Sequence, residues 1–220
     1  MKSLCNILSI SARSVYFNLK YLPFKQAIKM PILLSKKVYL RGFAGKIILD
    51  CNIIPGMIKI GFGNVGIFDE KKTRSIWDVR GTVIFRGKAN IGHGTKISVG
   101  DKGVLVFGRN FMISAASSII CVSNIEFGND CLLSWDILIM DTDFHKIINS
   151  NDQILNTPSS IVIGNHVWIG CRCLILKGTV IPNNVVIGAN VVLTRKLSVE
   201  NCVYAGNPVK CVKEDVSWEL

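Results

Sequence analysis

The sequence has little of what marks several common classes of protein. Only 8% of its 220 residues are aromatic, and no apolar run reaches the roughly 18 to 20 residues needed to span a bilayer. Apolar residues do not recur at helical spacing over most of the chain. The opening segment, MKSLCNILSISARSVYFNLKYLPFK, has no clear small-residue cleavage site, which argues against a signal peptide. These absences favour one compact cytoplasmic domain that is not mainly helical.

The chain also lacks the spacing of a familiar metal site or disulfide framework. It has eight cysteines, but the only close pair, Cys171 and Cys173, has no second pair at zinc-ligand spacing. Of its three histidines, His93, His145 and His166, no two lie close in sequence. We therefore expect no metal site and no disulfide framework, with a cysteine such as Cys173 serving as a small buried hydrophobe.

Acidic residues are scarce near the N-terminus. Residues 1–50 carry nine Lys or Arg and one Asp, whereas residues 106–220 carry eight and ten, so the net charge of +11 is concentrated N-terminally. Several of these lysines alternate with apolar residues, which predicts either a basic amphipathic surface near anionic lipid or a solvated cover on the fold. No recognised nucleic-acid-binding motif accompanies the charge, so we expect no nucleic-acid partner. The lysines concerned are Lys20, Lys25, Lys29, Lys36 and Lys37.

What the sequence does contain is a six-residue repeat. From Ile163 to Ser198 it reads IGNHVW, IGCRCL, ILKGTV, IPNNVV, IGANVV and LTRKLS without an insertion. Every hexad begins with Ile or Leu and carries a small or apolar residue at its fifth position. Such hexads are typical of a parallel β-helix, in which three hexads form one triangular coil and stacked coils bury an aliphatic column.

The same step continues upstream with slips of a few residues, which indicate enlarged corners. Glycine recurs at the second hexad position, where a crowded corner favours a residue without Cβ. Coils are therefore predicted upstream of Ile163 as well. The apolar residues that keep the step are Ile91 and Ile97, then Phe107, Ile113 and Ile119, then Phe127, Leu133 and Ile139.

Three parts of the chain depart from the repeat. We predict an irregular N-terminal cap over residues 1–57, with a short helix over Val15–Tyr21 and strands in the runs KVYL and KIILD. The β-helix is predicted over 58–198, and a C-terminal tail over 199–220 is expected to fold back along the outside. Residues 140–161 leave the helix as a protruding loop, and a loop of this length in a compact domain is usually functional.

This loop holds the best candidate for a catalytic residue, His145 in the run MDTDFHK. If the run is extended, Asp141, Asp143 and His145 project on one face, because alternate residues share a side. A carboxylate bonded to one imidazole nitrogen fixes the tautomer and raises the basicity of the other, as a general base requires. A solvated surface histidine is the alternative. His93 and His166 occupy corner positions, which mostly face water.

The hexads, the IGNHVWIG run, the DTDFH loop and the AGNPVK tail together resemble the hexapeptide-repeat acyltransferases. Among these, the chain is most similar to the sugar and polysaccharide O-acetyltransferases related to galactoside, maltose and serine acetyltransferases. The resemblance covers about Ile91 to Lys213. It implies a left-handed parallel β-helix, an exception to the right-handed crossover rule. It also implies a homotrimer with active sites between subunits, acetyl-CoA as donor and a sugar hydroxyl as acceptor.

The resemblance implies roles for individual residues as well. His145 corresponds to the histidine that deprotonates the acceptor hydroxyl, with Asp143 or Asp141 as its orienter. Ser114 stands at an acceptor-side position where galactoside acetyltransferases carry Asn, so the acceptor pocket differs. Other positions correspond to the binding site of the donor. Trp168 corresponds to an aromatic residue that lines the groove, Cys171 to the residue at the thioester end, and Gly170 and Ala189 to small residues along the pantetheine arm. The positions near the nucleotide and its phosphates are Thr194, Arg195, Lys210 and Lys213.

Other functions fit the same pattern. An N-acetyltransferase of an amino-sugar nucleotide would use the same helix and donor. A zinc hydratase resembling the γ-class carbonic anhydrases would need all three histidines together. A non-catalytic assembly module would bind no coenzyme A. Within the acetyltransferase interpretation we expect direct attack, because nothing basic in the sequence is tied to Cys171 as a covalent nucleophile.

Overall fold

The structure is a computed structural model that describes residues 11–69 and 72–219. The first ten residues of the predicted cap, with Cys5 among them, lie outside the described part. The described chain contains two short helices, α1 (Ala12–Tyr21) and α2 (Phe24–Ala27), and a series of short strands. In chain order the strands are β1 (Ile32–Leu34), β2 (Val38–Gly42), β3 (Lys46–Leu49), β4 (Ile58–Phe62), β5 (Ser75–Val79), β6 (Thr82–Phe85), β7 (Ala89–Gly92), β8 (Lys96–Val99), β9 (Val104–Phe107), β10 (Phe111–Ala115), β11 (Ser118–Cys121), β12 (Asn124–Phe127), β13 (Leu132–Trp135), β14 (Leu138–Met140), β15 (Ile161–Ile163), β16 (Trp168–Ile169), β17 (Leu174–Leu176), β18 (Val180–Ile181), β19 (Val185–Ile187), β20 (Val192–Leu193), β21 (Cys202–Ala205) and β22 (Lys210–Glu214).

The strands form three sheets that the chain visits in turn. The first sheet runs β1-β4-β7-β10-β13-β16-β19-β21-β22, the second β2-β5-β8-β11-β14-β17-β20, and the third β3-β6-β9-β12-β15-β18. Neighbouring strands are parallel, except that β22 pairs antiparallel with β21. One circuit of three strands therefore makes one coil, and the coils stack into a three-sided prism. This confirms the predicted parallel β-helix.

The hexad positions identified in the sequence line up as buried columns. Each column belongs to one sheet, and its residues are at most 1% exposed. Burying each of these side chains contributes about 1.5 to 3 kcal/mol, so the repeat itself supplies the core. The columns are Ile91-Ile113-Leu133-Ile169-Ile187, Ile97-Ile119-Ile139-Ile175-Leu193 and Phe107-Phe127-Ile163-Ile181.

Buried cysteines belong to the same core as these columns. Burial raises the pKa of the Cys131 thiol to about 11 and that of Cys121 to about 12. Both thiols are therefore protonated at neutral pH and pack as small hydrophobes. Cys173 is also fully buried, and burial raises its pKa too.

Glycine at the second hexad position is required where one corner stacks directly on the next. A Cβ on Gly92 would meet the carbonyl oxygen of Ser114, and one on Gly170 would lie 2.7 Å from the backbone nitrogen of Ala189. Real Cβ atoms do not come this close to backbone, so the crowding predicted at these corners is confirmed.

The stack begins at Ile32, earlier than the predicted start at residue 58. Strands β1, β2 and β3 pair in parallel with β4, β5 and β6, so residues 32–49 form the first coil although they show no hexad pattern. The cap proper is residues 11–31, whose helix α1 includes the predicted 15–21 segment. Neither described helix is long and apolar enough to cross a bilayer.

The cap closes the end of the prism by binding the free edge of β1. Asn18 Nδ2 donates to the carbonyl of Ile32 at 2.7 Å, and the Ile32 amide donates back to Asn18 Oδ1 at 3.2 Å. The Leu34 amide donates to Ser14 Oγ at 2.9 Å. These bonds satisfy backbone groups that an edge strand leaves unpaired. Phe17 extends into the prism and packs against Trp77, with ring centroids 5.4 Å apart.

The tail first extends the stack and only then folds back. Strand β21 lies parallel on β19 as one more layer of the first sheet, and β22 returns along it. Beyond β22 the chain reaches Trp218, whose ring stacks on His166 with centroids 4.5 Å apart. The predicted return along the outside therefore starts later than residue 199.

Candidate active site

The chain leaves the prism between β14 and β15, so its loop lies where the second and third sheets meet. We call this corner the loop edge. The loop exposes five large apolar side chains, with Phe144 64% and Leu155 62% exposed. The others are Ile147, Ile148 and Ile154.

The run MDTDFHK around His145 is not extended. The prediction that Asp141, Asp143 and His145 share one face required an extended run. Phe144 has a φ of +61°, and the His145 amide donates to the carbonyl of Asp143 at 2.7 Å. This tight turn breaks the alternation of side chains. Asp141 is fully buried, whereas Asp143 and His145 are exposed, so the three do not share one face.

Asp141 binds the coil beneath the loop. Its two carboxylate oxygens accept hydrogen bonds from the amides of Val122 at 2.8 Å and Ser123 at 2.7 Å. Both oxygens are thus engaged with backbone, away from the imidazole. Within the described residues, neither Asp141 nor Asp143 forms a hydrogen bond with the ring of His145.

Asp143 instead secures the turn that carries His145. Its Oδ2 accepts hydrogen bonds from Lys177 Nζ at 2.5 Å and from Asn156 Nδ2 at 2.8 Å. The bond from Lys177, followed by that from Asn156, lowers the pKa of Asp143. Asn156 Nδ2 also donates to the carbonyl of His145 at 2.8 Å, and Asn156 Oδ1 accepts from the Ile147 amide at 2.6 Å.

Lys177 and Asn156 are functional candidates that the sequence did not reveal. They lie 34 and 13 residues from Asp143, and although Lys177 belongs to the hexad ILKGTV, nothing in that repeat marks it as a partner of the loop. Together they fix the backbone on both sides of His145. The imidazole itself remains exposed and has no hydrogen-bond partner in the described chain, so a substrate hydroxyl can approach it.

A second set of candidates lies on another corner, between the first and second sheets. Small residues follow the strands of the first sheet there, and we call this corner the small-residue edge. Ser114 lies in β10 and donates from Oγ to the Leu133 carbonyl at 3.1 Å. Gly170 and Cys171 follow β16, and Gly188 and Ala189 follow β19 at the equivalent positions one coil farther on. The small-residue edge comprises Gly92, Ser114, Ser134, Gly170, Cys171, Gly188, Ala189 and Ala205.

Trp168 lies beside this edge on the outer face of the first sheet. It is 37% exposed, and its Nε1 donates to Ser134 Oγ at 3.4 Å. Trp218 approaches it to 6.2 Å between centroids and donates from Nε1 to the His166 carbonyl at 3.0 Å. A cavity of about 340 Å³ adjoins Trp218 and is lined partly by Met112. The role of Trp218 was not visible in the sequence because the residue lies beyond the repeats.

The tail brings Lys210 and Lys213 onto the same face despite their odd spacing. The register of β22 shifts so that Lys213 pairs with Val203 while Lys210 pairs with Ala205. This bulge places both lysines opposite outward-facing residues of β21, and both are exposed.

Arg195 and Thr194 follow β20 and are exposed. Arg195 Nη2 donates to the carbonyl of Val209 at 3.0 Å, so the guanidinium lies next to the residue that precedes Lys210. The structure thus brings three cations, Arg195, Lys210 and Lys213, to the tail end of the prism.

His93 lies at the corner position predicted for it, but it is buried and does not face water. It is 5% exposed, and its ring lies 6.0 Å from that of Phe68, which covers this corner from the segment between β4 and β5. His166 is half-buried and bonds through Nδ1 to Asn184 at 3.1 Å. Within the described ranges, no group of three His, Cys, Asp or Glu is arranged to hold a metal ion.

Within one chain, the candidates therefore occupy two separate corners. His145 lies at the loop edge, whereas Ser114, Cys171 and Ala189 lie at the small-residue edge, across the width of the second sheet.

The chain is similar to known proteins in sequence and in fold. Residues 160–195 match the family described as bacterial transferase hexapeptide (six repeats). The putative lipopolysaccharide biosynthesis O-acetyl transferase WbbJ of Escherichia coli (strain K12) is 30% identical over 152 residues, which cover 63% of this chain and 77% of that protein. The polysialic acid O-acetyltransferase of Neisseria meningitidis is 31% identical over 175 residues, covering 77% and 72%.

A solved structure supports the fold independently. The polySia-specific acetyltransferase NeuO superposes with a TM-score of 0.51 at 20% identity, over 86% of this chain and 79% of that one. At this identity the similarity shows the fold alone.

Proposed function

Because this chain belongs to the hexapeptide-repeat acetyltransferases, with their left-handed parallel β-helix, we propose that it acetylates a hydroxyl of a polysaccharide or lipopolysaccharide precursor from acetyl-CoA. The observation that carries this proposal is the exposed His145, held on a braced turn of the long loop that leaves the prism between β14 and β15. Its relatives in lipopolysaccharide biosynthesis and polysialic acid modification support the acceptor class.

In the proposed reaction, His145 takes the proton of the acceptor hydroxyl as its oxygen bonds to the thioester carbonyl carbon. Backbone amides near Cys171 stabilise the negative charge that develops on the carbonyl oxygen. The carbon–sulfur bond then breaks, and the departing thiolate of coenzyme A receives the proton from the imidazolium. The products are the O-acetylated acceptor and free coenzyme A, with no acyl-enzyme.

The active site forms between subunits of a homotrimer in this proposal. The loop edge of one subunit supplies His145, and the small-residue edge of its neighbour supplies the donor groove. The five exposed apolar side chains of the loop support it, because a patch of this kind ordinarily packs against another surface. A cyclic trimer creates three equivalent sites from one contact.

The donor residues fit the shape and charge of acetyl-CoA. Trp168 flanks the groove, and the small residues Gly170, Cys171 and Ala189 leave backbone accessible to a thin pantetheine arm. Thr194, Arg195, Lys210 and Lys213 lie toward the tail end, where the phosphates would bind. Cations are few after residue 105, and three of the eight gather here. Ser114 would contact the acceptor lower on the same edge.

Of the two aspartates, we assign Asp143 to the support of His145 and Asp141 to the anchoring of the loop. Asp143 acts on the turn through Asn156, which bonds to both Asp143 and the His145 carbonyl. We place the reaction in the cytoplasm, where acetyl-CoA is available, at the inner face of the membrane.

The proposal is tested by incubating the protein with radiolabelled acetyl-CoA and a panel of neutral, acidic and amino sugars, with mass spectrometry of the products. We expect an acetate ester on a hydroxyl of at least one sugar in the panel. Acetylation of amines alone would establish the N-acetyltransferase alternative. Absence of a thermal shift with acetyl-CoA would indicate an assembly module, and stoichiometric zinc in elemental analysis would indicate a hydratase.

A further inference from the structure

The outer surface of the N-terminal cap is apolar where a surface helix would ordinarily be polar. Phe17, Leu22 and Ala27 face inward and are buried. The opposite side exposes Phe24 by 70%, while three further large side chains are more than half exposed. These three are Tyr16, Leu19 and Ile28.

Lysines surround these apolar side chains. Lys20, Lys25 and Lys29 are all exposed and form no ion pair in the described part of the chain. From Ser11 to Pro31 there is no acidic residue. We define the cap surface as Tyr16, Leu19, Lys20, Phe24, Lys25, Ile28 and Lys29.

We propose that the cap surface docks the protein on the surface of an anionic membrane. Aromatic and aliphatic side chains next to lysines suit the headgroup region, where the rings enter the acyl boundary and the ammonium groups meet lipid phosphates. Neither α1 nor α2, as described over residues 11–31, is long enough to cross a bilayer, so the proposed contact is peripheral.

Charge favours lipid over a second copy of this chain as the occupant. A twofold contact through the cap surface would bring its unpaired lysines face to face with the same lysines of the partner. An anionic bilayer offers the opposite charge instead, and each lysine near its surface adds to the attraction.

The position of the cap gives this docking a consequence for the acceptor, and this step rests on the proposed function. The cap covers the first coil, whereas the His145 loop leaves the fifth. Coils are separated by the strand spacing of about 4.8 Å, so the loop lies about 20 Å farther along the prism axis. Docked by its end, the protein would hold His145 well above the lipid headgroups. This suits a hydroxyl on a glycan that extends from a membrane anchor.

Docking is tested by cosedimentation of the full chain with vesicles. The assay contains no acetyl-CoA, so its result does not depend on catalysis. We expect binding to phosphatidylcholine vesicles that contain phosphatidylglycerol, little binding to phosphatidylcholine alone, and weakening as salt shortens the Debye length. Replacing Lys20, Lys25 and Lys29 together by Gln should lower the partition coefficient about a hundredfold. Phe24→Ser should lower it about tenfold.

Control variants outside the cap surface test whether vesicle binding depends on the cap surface itself or only on the total charge and exposed apolar area of the protein. Joint replacement of Lys72, Lys96 and Lys102 by Gln removes the same charge, and Ile67→Ser removes a side chain that is 68% exposed. We expect both controls to bind as the unaltered chain does. Equal loss in the controls, or no binding to anionic vesicles, would overturn the proposal.

The oligomeric state and the activity complete the test. Sedimentation should give the same mass for the unaltered chain and the cap variants, because a change would mean that the cap surface is a protein interface. Turnover of a soluble acceptor should persist in the cap variants. Vesicle binding without any acetyl transfer would leave the docking standing and refute the proposed function alone.

Discussion

The environment of His145 combines an exposed imidazole with a firmly held backbone. We predict that His145→Ala lowers turnover about a hundredfold or more, within the range of general-base catalysis, while acetyl-CoA affinity changes little. Steady-state kinetics and a binding titration measure the two effects. Lys146→Ala, which alters the adjacent exposed residue, should retain full turnover. Undiminished turnover of His145→Ala would remove the histidine from the mechanism.

The buried carboxylate of Asp141 has a structural task that differs from that of Asp143. We predict that Asp141→Asn lowers the free energy of unfolding by about 1 to 3 kcal/mol, because one of two backbone amides loses its acceptor. Urea denaturation measures this change. If Asp141→Asn left the free energy of unfolding unchanged but greatly lowered turnover, Asp141 would be the residue that orients His145.

The ion pair between Lys177 and Asp143 is expected to depend on pH. Because the pKa of Asp143 is lowered in the fold, the contact is complete above the usual aspartate pKa of about 3.9 and is lost as the pH falls through the lowered value. Lys177→Met should raise the pKa of Asp143 toward the usual range, as followed by carboxyl NMR, and should reduce turnover less than His145→Ala. The control Lys146→Met should leave that pKa unchanged. An unchanged pKa in Lys177→Met would contradict the assigned contact.

At the level of elements, the hexads predicted the columns of the core because each apolar position recurs at the step of one strand and one turn. The first coil escaped detection for the same reason. Its aligned residues Leu34, Leu40 and Leu49 keep only one six-residue step, and residues 63–74 interrupt the second coil between β4 and β5, so no run of hexads appears there.

The loop was recognisable in the sequence, but its internal geometry was not. Its location follows from the interrupted repeat, whereas the turn at Phe144 depends on contacts from Lys177 and Asn156 that lie far away in sequence. Alternation along MDTDFHK predicted one shared face, and this was wrong because a positive φ reverses the chain between Asp143 and His145. Short-range periodicity cannot foresee a turn held by such distant contacts.

The corner glycines allow a test of the stacking itself. Gly92→Ala should lower the free energy of unfolding by about 1 to 3 kcal/mol, because its Cβ would meet the Ser114 carbonyl of the next coil. Gly66→Ala is the matched control, since its Cβ would have no neighbour within 4 Å, and it should change stability by less than about 0.5 kcal/mol. Equal effects in urea denaturation would show that the corner is not tightly stacked.

For the molecule as a whole, the separation of the two edges matters most. A triangular prism presents its loop edge and its small-residue edge in different directions, so the proposed base and the proposed donor groove lie apart within one chain. In the proposed trimer, three chains around an axis would join the loop of each to the groove of the next. In this arrangement, catalysis requires two subunits at every site.

Subunit mixing tests this claim most directly. His145→Ala removes the base, and Ala189→Trp fills the donor groove at an exposed position, so each variant alone should be inactive. When equal amounts are refolded together, about one quarter of the contacts pair an intact loop with an intact groove. We predict that turnover recovers to about a quarter of the unaltered level; mixed assemblies that form but remain inactive would contradict a site shared between subunits.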